Sequence, residues 1–344
     1  MSAVIVAGRR SALGTAGLAF KDLSITDLLA PVLHDVAQRV GDRVDDVIVG
    51  VARGPGGNVA RVAALQAGLG THVPAVTVDR QCGSGLAAIQ MAASLVAAGD
   101  ATVVLAGGAE SCTHAAEGRS AFAPSAIGDP DMGPAAEEVA RRWSVTRERQ
   151  DAYAARSHAR TLAAGDLMRA EILEMAGVSK DQRPRVLSTS VLARMPGAFA
   201  PDGTVTAGNS CGVSDGAAVV AVVSEEWRAE RGMPGLAIRG WSAIGVDPNT
   251  PGIGPVPAAR QVLERCGVAL DDVDVIEIVE AFAAQVLAVC DELGLDALGI
   301  DADRVCPAGG AIAIGHPWGA SGAVVMVRLL HEMLDSRTRY GLAL

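Results

Sequence analysis

The chain repeats itself once. Sliding the sequence by 237 residues lays Ser84 on Ser321, Gly85 on Gly322 and Leu105 on Leu342. In each copy a Ser-Gly pair stands at the start of a long apolar helical run. The runs are LAAIQMAASLVAAG (86–99) and GASGAVVMVRLLHEML (319–334), and a strand-like run follows each, ATVVLAGG and RYGLAL. A unit repeated once predicts two similar halves, with function at the seam they share. The first copy continues into Gly107-Gly108-Ala109-Glu110. The second reaches Leu344 where the matching glycine turn is due, so the given sequence is expected to stop short of that turn.

Within the first half, strand and helix signals alternate. AVIVAG (3–8), DDVIVG (45–50), VPAVTVD (73–79) and ATVVLAGGAES (101–111) read as buried strands. Between them, 25–40 reads as an amphipathic helix with Leu28, Leu29, Val32, Leu33 and Val36 on one face, and 58–69 as a second helix. The order β-α-β-α-β predicts an α/β fold with helices covering the sheet. From about 112 to 199 the alternation lapses into Pro/Gly punctuation and an exposed, charge-rich helical stretch, TRERQDAYAARSHARTLAAG. That stretch is expected to be an inserted loop domain, a common place for binding elements. Alternation resumes with strand-like 216–224 and LAIRGWSAIGV, a helix in VPAARQVLERCG, the strand DVIEIVE and the helix AFAAQVLAVCDELG. The expected division is a first half of 1–111 with about 200–224, a loop domain of 112–199, and a second half of 225–344 lacking its last strands.

Half the residues are hydrophobic and only 3% aromatic, so the core is built from small aliphatic side chains. A net charge of −10 argues against nucleic acid, whose phosphates require a basic face. The start, MSAVIVAGRRSALG, reverses the order of a secretory signal, and the apolar run 86–99 is short for a bilayer. A soluble cytoplasmic protein is expected. The six cysteines form no CxxC pair, so free thiols and no metal site are expected.

Two segments carry the chemistry. In VTVDRQCGSGLAAIQ, Cys82 lies between a strand and a helix start, where free N–H groups would favour a thiolate and Gly83 and Gly85 admit a ligand. The plain alternative is a buried cysteine ahead of a helix. In PAGGAIAIGHPWGASGA, His316 sits in a glycine-rich turn that mirrors Cys82. A lone histidine is often structural, but at the seam a neutral imidazole could take the thiol proton.

CGSGLAAI with GGAES, TVTAGNSCGVSDGAAVV, EIVEAFAAQ and GGAIAIGHPWGASGA resemble, in order, the signature blocks of the thiolases, and the resemblance spans essentially the whole chain. It implies two βαβαβαββ halves packed in layers, a loop domain that holds coenzyme A, and a homodimer or homotetramer. It implies a two-step acyl transfer with CoA as substrate and product and no separate cofactor. Cys82 would carry the acyl group, and His316 would activate it and contribute to an oxyanion hole. Phe199, Ala207, Cys211 and Phe282 would line the pantetheine and acyl channel, although Phe199 and Phe282 also suit ordinary core packing. Three departures stand out. Val279 replaces the Asn of the Asn-Glu-Ala-Phe block, Cys306 replaces the Asn of the Asn-Pro-x-Gly-Gly block, and Cys211 stands where a small Ser is usual. The terminal Cys-x-Gly-x-Gly block, source of the second catalytic base in the family, is not reached by Leu344, so either the given sequence is truncated or the protein lacks that base. The departures keep two further readings open: an acyl-CoA acyltransferase or hydrolase that acylates Cys82 but finishes differently, and a non-catalytic acyl-CoA-binding subunit. Cys306 as a substitute base is a minor option beside a buried small residue.

Overall fold

Runs of valine and alanine with no charge among them are satisfied as strands buried on both faces. The computed structural model describes residues 2–41, 43–116, 118, 120–336 and 338–344. Its strands are β1 (Ala3–Ser11), β2 (Gly14–Thr15), β3 (Asp46–Gly50), β4 (Ala75–Val78), β5 (Val103–Ser111), β6 (Ile172–Leu173), β7 (Ser214–Ser224), β8 (Leu236–Ala237), β9 (Val275–Glu277) and β10 (Gly341–Ala343). Its helices are α1 (Ile25–Arg39), α2 (Val59–Gln66), α3 (Ser84–Ala98), α4 (Met132–Arg142), α5 (Arg147–Ala163), α6 (Gly165–Glu171), α7 (Thr189–Leu192), α8 (Glu225–Glu230), α9 (Pro255–Cys266), α10 (Ala283–Leu293), α11 (Ala311–Ile314) and α12 (Trp318–Asp335).

The first eight strands form one sheet, ordered β4-β3-β5-β7-β1-β6, with β2 on β7 and β8 on β1. β3 runs parallel to β4 and β5, whereas β7 is antiparallel to β5 and β1. Every residue of β5 and β7 is buried. On one face lies α1, started by a capping box between Ser24 and Asp27 and burying the predicted Leu28, Leu29, Val32, Leu33 and Val36. On the other lie α3 and α12, whose far sides meet the second half, where α12 packs on the parallel pair β9–β10. The central helices are therefore shared by both halves.

That sharing depends on glycine. A Cβ on Gly85 would lie 2.7 Å from Ala323 N, and one on Gly322 would lie 2.7 Å from Leu86 N. These two glycines are one repeat apart, so the internal repeat is realised as a symmetric backbone-to-backbone crossing of α3 and α12. The stretch Gln81–Ala98 has the length and composition to cross a membrane, yet here it is the turn and helix buried between the halves.

Two expectations change. Of LAIRGWSAIGV only Leu236–Ala237 is strand. Residues 238–250 are irregular, with Trp241 and Ile244 exposed, because no described strand lies beside them to complete a ladder. The charged stretch expected to be exposed is α5, which buries Gln150, Asp151, Tyr153, Ser157 and His158. Several of its polar side chains have partners inside: Asp151 accepts from Asn209 and Arg147, and Tyr153 and Ser157 donate to Glu280. The insertion is stitched down by a buried ion cluster, in which Glu171 pairs with Arg10 on β1 and Arg328 on α12, and Asp181 with Arg10.

Candidate active site

The Cys82 turn begins where β4 ends. Asp79 Oδ1 accepts from Gln81 N at 2.6 Å, and Gln81 adopts φ +50°, a left-handed conformation that a glutamine rarely takes. Cys82 follows in a single 3₁₀ turn, Gln81–Gly83, that runs into α3. Ser84 fastens this turn: its Oγ accepts from Arg80 N at 2.7 Å and donates to Gln81 O at 2.6 Å. The expectation of a thiolate favoured by the helix start is overturned. Burial, then the Glu110 carboxylate, push the Cys82 thiol up to about 12, and Asp79 adds to this, against one favourable backbone N–H. Cys82 rests as a thiol.

The His316 turn is held more tightly. Gly315 has φ +114°, His316 N donates to Gly212 O at 2.8 Å, and the ring is buried. Its Nδ1 shares a 2.6 Å hydrogen bond with Ser321 Oγ, which leaves Nε2 for chemistry. Burial holds the imidazole down to about 4, so it is neutral near pH 7.

The fold brings these two turns to one seam. The Cys82 turn packs on α12, the helix that His316 precedes. Glu110, at the end of β5, accepts from Ala52 N, Arg53 N and Gly319 N at 2.9 to 3.1 Å, tying β3, β5 and α12 together beneath the turn. Burial pushes the Cys211 thiol up to about 12 and raises the Cys112 thiol as well.

The other predicted residues gather around the 210–213 segment. Phe199 and Phe282 stack edge to face with centroids 6.1 Å apart, and Phe199 is 44% exposed. Ser210 bridges Phe282, and Cys211 N donates to Ala281 O at 3.0 Å. Ala207 is exposed at the outer side of the same turn. Val213 then bridges His316. The 210–213 segment is therefore bridged to Phe282 at one end and to His316 at the other, with Phe199 against Phe282 and Ala207 exposed nearby. Sequence reasoning assigned no role to Ser84, Ser321 or Glu110. Only Glu110 carried a local signal, a carboxylate closing a wholly apolar strand. Among the described residues no group of three or more His, Cys, Asp or Glu is disposed to hold a metal ion.

The family description "Thiolase, N-terminal domain" matches residues 3–226, and "Thiolase, C-terminal domain" matches residues 233–344. The chain belongs to the thiolase family. Among similar thiolases, an acetyl-CoA acetyltransferase of Pseudomonas aeruginosa is 41% identical, covering 99% of this chain and 95% of the relative. One from Allochromatium vinosum is 39% identical over 99% and 94%. The crystal structure of the Bacillus anthracis acetyl-CoA acetyltransferase superposes with a TM-score of 0.91 at 37% identity, covering 100% of this chain and 95% of that one.

The places where this thiolase departs from the family blocks now have surroundings. Val279 lines a small cleft with Glu277, Ile314, Gly315, Ser321 and Arg328. Cys306 adopts φ +42°, a conformation that suits Asn better than most residues. Its Sγ accepts from Ile278 N at 3.4 Å and it is fully buried, which makes it a structural thiol rather than a substitute base.

Proposed function

We propose that this thiolase-type acyltransferase moves acyl groups between CoA thioesters through a thioester on Cys82, with His316 as its proton acceptor and donor. The carrying observation is that the Cys82 turn packs on α12, the helix that the His316 turn precedes, while Ser321 on that helix holds His316 Nδ1. With the thiol at about 12 and the imidazole at about 4, a resting thiolate–imidazolium pair is strongly disfavoured. Proton transfer is therefore coupled to attack. The Cys82 S–H bond breaks as sulfur bonds the thioester carbon, and the proton goes to His316 Nε2. As the carbonyl re-forms, the CoA sulfur leaves and takes that proton. CoA attack on acyl-Cys82 is the reverse. The pantetheine arm runs along Phe282, Phe199 and Ala207, and CoA is substrate and product.

Incubation with acetyl-CoA followed by intact-mass measurement tests this reading. One acetyl adduct is expected, absent from Cys82→Ser. No adduct with any acyl-CoA would leave only the non-catalytic binding reading.

The side chain of Val279, which offers no hydrogen-bond donor, favours a second reading, in which Cys82 is acylated but carbon–carbon bond formation is slow. Removing one oxyanion donor typically lowers rates about 10²–10³-fold. Val279→Asn should then speed acetoacetyl-CoA thiolysis by at least about tenfold while leaving Cys82 acylation unchanged. A slower or unchanged thiolysis rate removes this reading.

A cytoplasmic homodimer or homotetramer completes the proposal. β4 is the sheet's edge strand, with Val76 40% exposed, and Val62, Leu65 and Met91 are also exposed on the neighbouring α2 and α3. Light scattering giving a monomer mass would overturn the oligomer.

A further inference from the structure

One cation beside the site has no counter-charge. Arg183 lies in the segment between β6 and α7, and its neighbours are already committed. Asp181 accepts from Arg10 at 2.8 and 2.9 Å and from Leu13 N at 2.7 Å. Arg185 N donates to His158, and its guanidinium donates to the Arg183 carbonyl. Among the described residues nothing accepts from the Arg183 guanidinium, and its Nε is sealed from water without a partner. Burying a charged donor unmatched is unfavourable, so such a group is expected to have a partner in its working state.

Its position says which partner. A Cβ on Gly212 would lie 1.8 Å from Arg183 Cζ, and one on Gly315 would lie 3.3 Å from its Cδ. Gly212 therefore stays bare so that the arginine can lie against the backbone, whereas Gly315 is already required by its φ of +114° and by the closeness of Ser214. Gly212 O holds His316 N, and Gly315 directly precedes His316. The arginine thus lies against the backbone that holds the His316 turn. The CoA phosphates are removed from the CoA sulfur by the whole pantetheine arm, so an anion meeting Arg183 belongs to the acyl group.

We propose that Arg183 is a specificity-determining residue that binds a carboxylate at the far end of the acyl chain, so that the preferred donors are CoA thioesters of short dicarboxylic acids. A planar guanidinium receives a carboxylate through two parallel N–H···O bonds, which an alkyl end cannot supply. This rests on the acyl-Cys82 reading.

The test uses two donors of equal chain length, succinyl-CoA and butyryl-CoA. Offered together to the wild-type protein, they should give mainly the succinyl adduct on Cys82 by intact mass. Arg183→Met should lower kcat/KM for succinyl-CoA by about 10²-fold or more and spare butyryl-CoA. Arg183→Lys should fall between, and circular dichroism checks that each variant folds. Equal adducts, or a butyryl preference, in the wild-type protein overturn the proposal without any variant being needed. Loss of both donors alike in folded Arg183→Met also overturns it. A third arm compares butyryl-CoA with butyryl-pantetheine. If Arg183→Met changes their ratio, the residue serves the CoA phosphates and the proposal fails. Absence of every adduct refutes acylation itself, and this proposal with it.

Discussion

Ser84 and Ser321 are one repeat apart, each near the start of a central helix. Ser84 turns its hydroxyl onto the backbone of the Cys82 turn, bonding Arg80 N and Gln81 O. Ser321 turns its hydroxyl onto the His316 ring. The first serine fixes a loop and leaves the side chain above it free. The second fixes the side chain. Accordingly Cys82 is half-buried, whereas His316 is buried with its ring hydrogen-bonded. An acyl-carrying sulfur bonds groups of different shape, whereas a proton acceptor works at one bond length. The repeat supplies one device twice, and the chemistry of each half decides where the hydroxyl points.

Breaking the fixed side has the largest expected effect. His316→Ala should slow acyl transfer from acetyl-CoA about 10²–10⁴-fold, the usual range for a positioned base. Alkylation of Cys82 by iodoacetamide across pH should still report a thiol titrating near 12, because burial and Glu110 set that value. A thiol pKa that rises further in His316→Ala would show that the ring stabilises a resting thiolate after all.

Ser321→Ala comes next. It removes the partner of His316 Nδ1, leaving a buried polar atom unsatisfied, which costs about 1–3 kcal/mol and shows as a lower Tm. Freed from its orienting bond, the ring should also lose about tenfold in kcat, a misplacement effect that KM does not share. Ser84→Ala should lower Tm by a comparable amount but change kcat by only a few-fold. It frees backbone donors and acceptors while the Asp79–Gln81 bond still holds the turn. Equal kcat losses for the two serines would erase the distinction drawn between them.

What the sequence revealed follows the same division. Strand and helix order came from periodicity, and Cys82 and His316 from their glycine settings, all of which are local signals. The protonation state of Cys82 was misread because a helix-start argument counts nearby N–H groups but omits burial and Glu110, 28 residues away on another strand. Arg183 gave no sign, since its meaning lies in a bare glycine at 212. The irregular course of 238–250 was also unreadable. Its residues suit a strand, and only the absence of a described neighbour leaves them unpaired.

The last expected effect concerns stability against pH, where the two sides of the seam should act on opposite limbs. His316 is held to about 4, below the usual histidine value near 6.5. As pH falls from about 6.5 toward 4, the unfolded chain binds a proton that the folded chain refuses, so this group lowers stability, by at most about 1.4 kcal/mol per pH unit. Cys82 is shifted the other way, to about 12. As pH rises above about 9 the unfolded thiol ionises and the folded one does not, so stability falls there instead. Total curves do not isolate either group. Buried Glu110, Glu280 and Glu332 are raised and oppose the histidine, His158 is held to about 4 and adds to it, and other raised cysteines share the alkaline limb. Difference curves do isolate them. Urea unfolding of His316→Asn minus wild type should change with pH only between about 4 and 6.5, and Cys82→Ala minus wild type only above about 9. A slope from either variant on the other's limb would mean that the two groups titrate as one coupled pair, and the contrast between a free nucleophile and a fixed base would fail at its electrostatic root.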